Sequence, residues 1–225
     1  MNSLLIRVCV LLLFLSSCNT KQNEQSVELV GKELGATNSQ MESIVSTGST
    51  QRRMKLEFEI PLLNKSNKDV GMTQALTKFV EYSAAADLQS YDSIQVRIYN
   101  NSLAYISTYA VADILFVNQS FQLVDSFLNL SSDAKYKEAK IFLDSSTLPD
   151  TTAKQVVEMI SGYIKEGAIS SISLRKFKLN YLSETSEPVT QLWIDVITGK
   201  IITHYYFVVR KRSPQILQVG INEEY

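Results

Sequence analysis

Four largely apolar segments at the end of the chain, joined by short polar turns, constrain the fold more than any other feature. They lie between residues 168 and 221, and the connections include SETSE and the dipeptide TG. Polar and apolar residues alternate along much of each segment, which is typical of strands with one buried face. Connections this short join neighbouring antiparallel strands. The sequence therefore predicts a four-stranded antiparallel meander.

Three helices are predicted directly before this meander. The first begins near Asp113, the second is the short segment DAKYKEAKIFLD, and the third starts at the cap-like PDTT. Helices followed by a curled meander resemble the cone-shaped fold of nuclear transport factor 2 and ketosteroid isomerase. In the short lipoprotein members of that fold, a YxEA helix corresponds to Tyr136, Glu138 and Ala139 here. The resemblance covers about residues 113–222 and implies a shape more than a chemistry.

The first half of the chain carries the pattern of a smaller domain. In RRMKLEFEIPLL, apolar residues alternate with charged ones, which predicts a half-buried strand of the antiparallel type. Residues 70–88 have the apolar spacing of an amphipathic helix with Asp69 as its N-cap. The segments YDSIQVRIYN and SLAYISTYAV then predict a hairpin. We therefore expect an α+β protein, with a β-α-β-β domain built on a small antiparallel sheet over residues 52–112 and a cone-like domain over residues 113–225.

In the segment 18–51, the residues that follow Cys18, 19–51, are rich in small and polar side chains and show no sustained apolar period. Such a composition cannot bury enough apolar surface to offset the entropy of ordering the chain, which is typical of a linker. As a flexible coil, about 33 residues would have a root-mean-square reach of roughly 30 Å. The sequence therefore predicts a flexible tether before the first domain.

The first 17 residues, MNSLLIRVCVLLLFLSS, have the layout of an export signal. One cation, Arg7, precedes an uninterrupted apolar run from Val8 to Leu15, and two serines follow. The apolar run is too short for a membrane-spanning helix, which needs about 20 residues. We therefore expect residues 1–17 to be a signal peptide.

The residue after this signal is a cysteine. The stretch Leu15-Ser16-Ser17-Cys18 resembles the lipobox of bacterial lipoproteins, in which an aliphatic residue and two small residues precede the modified cysteine. The resemblance implies that the Cys18 thiol takes a diacylglycerol, that the chain is cut before it, and that the new amino terminus is acylated. Two or three acyl chains give stable membrane anchoring. The alternative is an ordinary signal peptide followed by an incidental cysteine.

Two triplets bear on the kind of bacterium. DSI at Asp92 and DTT at Asp150 resemble a glycosylation motif of exported Bacteroidota proteins. Matches of three residues are frequent by chance, so these triplets add little to the lipobox.

Composition excludes several classes of site. Lys and Arg number 22 against 23 Asp and Glu, so no nucleic-acid partner is indicated. Cys9 lies in the predicted signal, and a lipidated Cys18 would leave no free thiol for catalysis or metal binding. His204 is the only histidine, which excludes a multi-histidine metal site. No cofactor, metal site or catalytic residue is predicted.

The TG dipeptide also predicts how the second and third strands of the meander pair. A two-residue turn at Thr198-Gly199 would place Trp193 opposite His204 and Asp195 opposite Ile202. The opposite face carries the apolar side chains and is the expected core. The face with Trp193 carries a polar-aromatic patch made of Gln191, Trp193, Asp195, His204 and Tyr206. Either this face binds a partner or a ligand, or the first domain or the tether covers it.

These features predict a lipid-anchored lipoprotein of the cell envelope, located on the outer membrane and facing the periplasm. We expect a non-catalytic binding module whose partners are the membrane, through its lipid anchor, and another envelope protein. The alternative is a small-ligand-binding, isomerase-like or hydrolase-like protein that uses a pocket in the cone. In that case Asp195 would act as a base, and Tyr181 or Tyr206 would donate a hydrogen bond to an oxyanion. A closed cavity that contains Asp195 would favour the alternative.

Replacement of the predicted lipid-attachment residue tests the anchor. We expect Cys18→Ser to stop processing and to move the protein out of the detergent phase on phase separation, because the thiol that would carry the diacylglycerol is gone. Cys9→Ser changes the other cysteine and should leave the partitioning as in wild type. Detergent partitioning of Cys18→Ser equal to that of wild type would contradict the lipoprotein interpretation.

Overall fold

The computed structural model describes residues 24–45, 51–82, 88–164, 168–182 and 186–221. The chain forms two compact units that divide between Ile114 and Leu115. Each unit contains helices and one four-stranded sheet. The predicted α+β class is therefore confirmed.

In chain order, the described part of unit 1 contains helix α1 (residues 24–33), strands β1 (Asn38–Val45) and β2 (Arg52–Glu59), helix α2 (Lys68–Tyr82), and strands β3 (Ser93–Tyr99) and β4 (Ala104–Ala110). Its sheet has the strand order β1-β2-β3-β4. Strands β1 and β2 pair antiparallel, β2 and β3 pair parallel, and β3 and β4 pair antiparallel. The predicted hairpin, formed by β3 and β4, is therefore confirmed.

The parallel pairing of β2 with β3 corrects the prediction of a purely antiparallel sheet. Helix α2 lies between these strands in the chain and returns it to the same end of the sheet, as a crossover connection does. Leu56 of β2 and Ile98 of β3 are fully buried, and a Cβ at Gly71 of α2 would lie 3.4 Å from Ile98 Cδ1. The alternation along β2 reports only that one face is buried, so it could not distinguish the two directions of pairing.

Helix α1 and strand β1 correct the prediction of a continuous flexible tether. Val27 and Val30 of α1 are buried, and the Ser26 hydroxyl donates to the Tyr82 carbonyl oxygen over 3.1 Å. Strand β1 pairs with β2 along its whole length. The composition was misleading because β1 is an edge strand, whose many exposed positions accept polar residues. Residues 18–23 lie outside the described part of the chain.

The next described elements in chain order are α3 (Val111–Ser132), α4 (Tyr136–Ala139), a 3-10 turn (Lys140–Phe142), α5 (Asp150–Ile164), β5 (Ile169–Tyr181), β6 (Pro188–Thr198), β7 (Ile201–Arg210) and β8 (Ile216–Ile221). The four strands form the predicted antiparallel meander of unit 2, with strand order β5-β6-β7-β8. The core of unit 2 lies between this sheet and the preceding helices. The ring of Phe127 on α3 meets the ring of Phe207 on β7 edge to face at 6.2 Å between centroids.

The register of β6 with β7 differs from the predicted register by two residues. The turn consists of Gly199 and Lys200, and Thr198 pairs with Ile201. Trp193 therefore lies opposite Tyr206, and the predicted pairing of Trp193 with His204 is wrong. Because side chains alternate with a period of two, a shift of two residues keeps every side chain on its predicted face. The expected core face is confirmed, since Leu192, Ile194, Val196, Tyr205 and Phe207 are fully buried.

A buried carboxylate fastens the loop after the 3-10 turn to the meander. Asp144 is 2% exposed, and its Oδ2 accepts a hydrogen bond from Arg210 Nη1 over 2.5 Å. Its Oδ1 accepts the backbone N–H groups of Ser146 and Thr147 over 2.8 and 3.2 Å. Burial alone would raise the pKa of Asp144, but the hydrogen bonds from Ser146 and the charge of Arg210 outweigh it and lower the pKa below its ordinary value. The ionised carboxylate therefore stabilises the loop.

The turn between β6 and β7 provides a test of the register. Gly199 has φ +59°, a left-handed conformation that side-chain-bearing residues adopt at a cost. We expect Gly199→Val to lower the free energy of unfolding by about 1–2 kcal/mol. The control is Gly220→Val in strand β8, because a Cβ at Gly220 would meet no atom within 4 Å. This substitution should lower the free energy of unfolding by less than Gly199→Val does. Equal chemical-denaturation midpoints for Gly199→Val and wild type would contradict this turn.

The Asp144–Arg210 pair predicts an acid-sensitive unit 2. A carboxyl group whose pKa is lower in the folded chain than in the unfolded chain stabilises the fold. This contribution is present above the pKa of the unfolded chain, about 3.9, and is lost as the pH falls through the lower pKa of the folded chain. We expect Asp144→Asn to cost about 3 kcal/mol at pH 7, because it removes the more buried of the two carboxylates that pair with Arg210 and leaves only Glu187, 3.2 Å from its Nε. The loss should shrink at acidic pH, in denaturation measured from pH 7 to pH 2.

The control for this measurement is Asp133→Asn. That carboxylate also pairs with a cation, Lys135, but its side chain is 57% exposed, so its replacement should cost little at either pH. A cost for Asp144→Asn that stays the same at both pH values would contradict the proposed role of the ionised form.

Candidate functional site

The five residues of the predicted polar-aromatic patch lie on one face of β6 and β7, opposite the core. Each is partly exposed, whereas the residues between them are mostly buried. Alternation along two paired strands explains this grouping, because it places every second side chain on the same face. The patch residues are Gln191, Trp193, Asp195, His204 and Tyr206.

Three of the side chains on this face form a row across the sheet. Lys176 of β5 and Tyr206 of β7 both lie opposite Trp193 of β6. The Lys176 ammonium is 5.1 Å from the centroid of the indole ring, and the tyrosine ring centroid is 5.2 Å from it at an angle of 57°. The indole is therefore flanked by a cation on one side and by an aromatic ring on the other, an arrangement that limits its rotamers.

Lys176 was missed by the sequence analysis because its position depends on a β-bulge. The register of β5 with β6 shifts between Leu174 and Lys176, so Arg175 is the extra residue. Without the bulge, Arg175 would lie opposite Trp193. Alternation along β5 gives no signal for an inserted residue, so only the three-dimensional pairing identifies the cation next to the indole.

The next row towards the Gly199 turn contains an acid and an imidazole. His204 Nδ1 lies 2.7 Å from Asp195 Oδ1, and the two side chains are 33% and 25% exposed. The sequence-based register placed Asp195 opposite Ile202, whereas the structure pairs it with His204. With Nδ1–H donating to the carboxylate, Nε2 is an acceptor in the neutral ring and a donor in the protonated ring. This row therefore offers hydrogen-bonding groups beside the aromatic row.

An apolar cluster borders the patch on the side away from the turn. Val189, Val208 and Leu217 are buried together, and Tyr206 packs against them. Burial raises the pKa of Tyr206, so its hydroxyl remains protonated at neutral pH. Tyr206 thus contacts both the apolar cluster and Trp193, and it holds the aromatic row in place.

The groups of the predicted enzymatic alternative are only partly brought together. Tyr181 pairs with Pro188 at one end of β6, and Asp195 is seven residues further along that strand, a separation of about 23 Å. The structure therefore does not bring Tyr181 to Asp195. Tyr206 is in the row next to Asp195, on the same face. The carboxylate of Asp195 is partly exposed and paired with His204, which differs from an isolated base in an apolar pocket.

A surface depression in unit 2 lies away from the patch. It has a volume of about 450 Å³ and is lined by Ala134 and Tyr136 together with residues of α5, among them Lys154 and Glu158. Among the described residues, no group of three or more His, Cys, Asp or Glu side chains could hold a metal ion. Neither observation places a cofactor on the patch face.

The predicted membrane attachment concerns a different part of the chain. The signal peptide and Cys18 lie outside the described residues. Within residues 24–221, apart from the short gaps given above, no helix has the length and apolar character needed to cross a membrane.

Comparison with known proteins adds no family to these observations. The lipoprotein and cone-fold resemblances therefore remain predictions from the sequence. No protein-family model, curated protein or solved structure matches this chain.

Proposed function

We propose that this chain is a lipid-anchored lipoprotein of the cell envelope that acts as a non-catalytic binding module. The lipobox at Cys18 supports the anchor. The row of Lys176, Trp193 and Tyr206 on the partly exposed face of unit 2 is the observation that carries the binding role. The partner is another envelope protein, and the lipid holds the module at the outer membrane on its periplasmic side.

The aromatic row suits a protein partner. Trp and Tyr supply large, rigid contact area together with a polar group, and such residues carry much of the binding energy in protein interfaces. Trp193 is already restrained by Lys176 and Tyr206, so less side-chain entropy is lost when a partner covers it. The Asp195–His204 pair beside the row supplies directional hydrogen bonds at the border of the contact.

The order of the polar groups argues against nucleophilic catalysis on this face. Ser173, Asp195 and His204 follow one another across β5, β6 and β7. In a catalytic triad the imidazole lies between the hydroxyl and the acid, because it takes the proton of the nucleophile. Here the acid lies between the hydroxyl and the imidazole, so His204 is not placed to activate Ser173. The arrangement supports recognition better than catalysis.

The proposal predicts separate effects of Trp193→Ala on binding and on stability. We expect association with the partner to weaken by about 2 kcal/mol, or roughly 30-fold in Kd, while the free energy of unfolding changes little. A photo-crosslinker in place of Gln191 identifies the partner in cells, and calorimetry with the purified pair measures Kd. Tyr163→Ala is the matched control, because Tyr163 is an exposed aromatic residue of α5.

Two outcomes would contradict the binding role. In the first, Trp193→Ala lowers the free energy of unfolding by about 3–5 kcal/mol without a specific loss of binding, which would show that Trp193 belongs to the core. Equal Kd values for Trp193→Ala and Tyr163→Ala would show that the partner binds elsewhere.

A further inference from the structure

Strand β4 is an edge of the sheet in unit 1, and its outward-pointing backbone groups can be identified. The hairpin is closed by the Asn100 N–H bonded to the Leu103 oxygen, and the Val111 N–H bonds to the Asp92 oxygen at the other end. These two contacts fix which pairs of an antiparallel ladder are hydrogen-bonded. Tyr105, Ser107 and Tyr109 therefore bond to β3. The residues whose N–H and C=O groups point away from the sheet are Ala104, Ile106, Thr108 and Ala110.

This edge has none of the features that usually prevent strand pairing. Strand β4 contains no charged residue and no proline, and its register with β3 is free of bulges. All four outward-pointing residues are exposed, and Ile106 is 59% exposed. A regular, uncharged edge of this kind is a template for a further strand.

Each of the other three sheet edges has a feature that β4 lacks. Strand β1 carries the charged residue Glu42, and β5 carries several cations and a bulge. The start of β8 is covered by the loop after the 3-10 turn, because Leu143 bridges to Ile216 and the Asp144 N–H donates to the Ile216 carbonyl oxygen. Among the described strands, β4 is therefore the edge strand with neither a charged residue, a bulge nor a covering loop contact.

The sequence of β4 is nearly the same in both directions. Read as Ala-Tyr-Ile-Ser-Thr-Tyr-Ala, it is symmetric about Ser107, apart from the exchange of Ile106 for Thr108, which are both β-branched. In an antiparallel pair of two such strands centred on Ser107, Ala104 faces Ala110 and Tyr105 faces Tyr109. Cross-strand pairs of aromatic residues and of β-branched residues are favourable.

We propose that β4 pairs antiparallel with β4 of a second copy of this chain, about a twofold axis at Ser107. In this register each outward-pointing residue of one strand meets an outward-pointing residue of the other, so that every free N–H and C=O group of the edge finds a partner. A register centred on Ile106 or Thr108 would leave groups at the strand ends unpaired. The result is one continuous sheet across two copies, an isologous contact.

A second copy fits this edge better than an unrelated strand does. An unrelated segment could satisfy the backbone groups, but an identical strand also pairs alanine with alanine and tyrosine with tyrosine on each side of the axis. A single pair of seven-residue strands forms a small contact and gives a weak dimer in dilute solution. Attachment to one membrane would raise the local concentration, a point that rests on the lipid anchor proposed above.

The twofold axis can be tested by a disulfide across it. Opposed residues at a non-hydrogen-bonded position have Cα atoms about 4.5 Å apart, a separation that a disulfide spans. We expect full-length Ser107→Cys, oxidised with copper–phenanthroline in cell membranes, to give a product of twice the monomer mass. Ser43→Cys places the same residue on β1, the opposite edge of this sheet, and should stay monomeric. Wild type gives the background, because its cysteines are Cys9, which lies in the predicted signal, and Cys18, the predicted lipid-attachment residue.

A second substitution tests whether pairing of the edge backbone is required. Ile106→Pro removes an N–H that bonds to nothing within the sheet and blocks the approach of a second strand. Added to Ser107→Cys, it should abolish the crosslink while the thermal transition remains cooperative. Ile106→Val keeps the N–H and should preserve the crosslink. If Ile106→Pro does not fold, Thr108→Lys places a charge at the edge and serves the same purpose.

The outcomes that would overturn the proposal are distinct. A folded, maleimide-reactive Ser107→Cys chain that forms no dimer would contradict the twofold axis. Equal crosslinking of Ser107→Cys and Ser43→Cys would indicate random collision. A crosslink from Ser107→Cys to a different protein would show that the edge accepts another partner. None of these results bears on Trp193, so the binding role of the patch face is tested separately.

Discussion

Backbone hydrogen bonds between β6 and β7 hold each side chain of this hairpin on one of two faces, because successive residues of a strand alternate. Burial of Leu192, Ile194 and Tyr205 on the inner face determines which residues face outward. Trp193 and His204 therefore share the outer face because of the core behind them. The candidate site depends on the same hydrophobic burial that holds unit 2 together, and a shift by a single residue would exchange the two faces.

Polar interactions then stabilise the arrangement that burial has selected. The Asp144 carboxylate, held ionised by Ser146 and Arg210, ties the loop before α5 to β7. The backbone N–H of Asp144 bonds to the Ile216 carbonyl oxygen at the start of β8. On the patch face, Lys176 and Tyr206 restrain Trp193 from two sides. The first set of contacts covers an edge of the meander, and the second gives the outer face a rigid aromatic centre.

The two units differ in how they treat their sheet edges. In unit 2, a bulge and cations on β5 and a covering loop on β8 limit pairing with other strands. In unit 1, the parallel crossover through α2 places β2 and β3 in the middle and leaves β1 and β4 at the edges. The hairpin of β3 with β4 would form in either arrangement, but the sheet order decides that β4 is outermost. The near-symmetric sequence of β4 therefore lies along a sheet edge, where a second strand could pair with it.

Alternation in the sequence was sufficient to predict the meander, the core face of β6 and β7, and the common face of Gln191, Trp193 and Asp195, because burial on one face imposes a period of two. It could not predict the register, the bulge that brings Lys176 to Trp193, or the Asp195–His204 pair, since each depends on how one strand lies against another. The packing of helix α1 and the pairing of strand β1 were not predicted, because both depend on contacts with distant parts of unit 1. Local patterns report which side of an element is buried, whereas the partners on that side are decided by the tertiary structure.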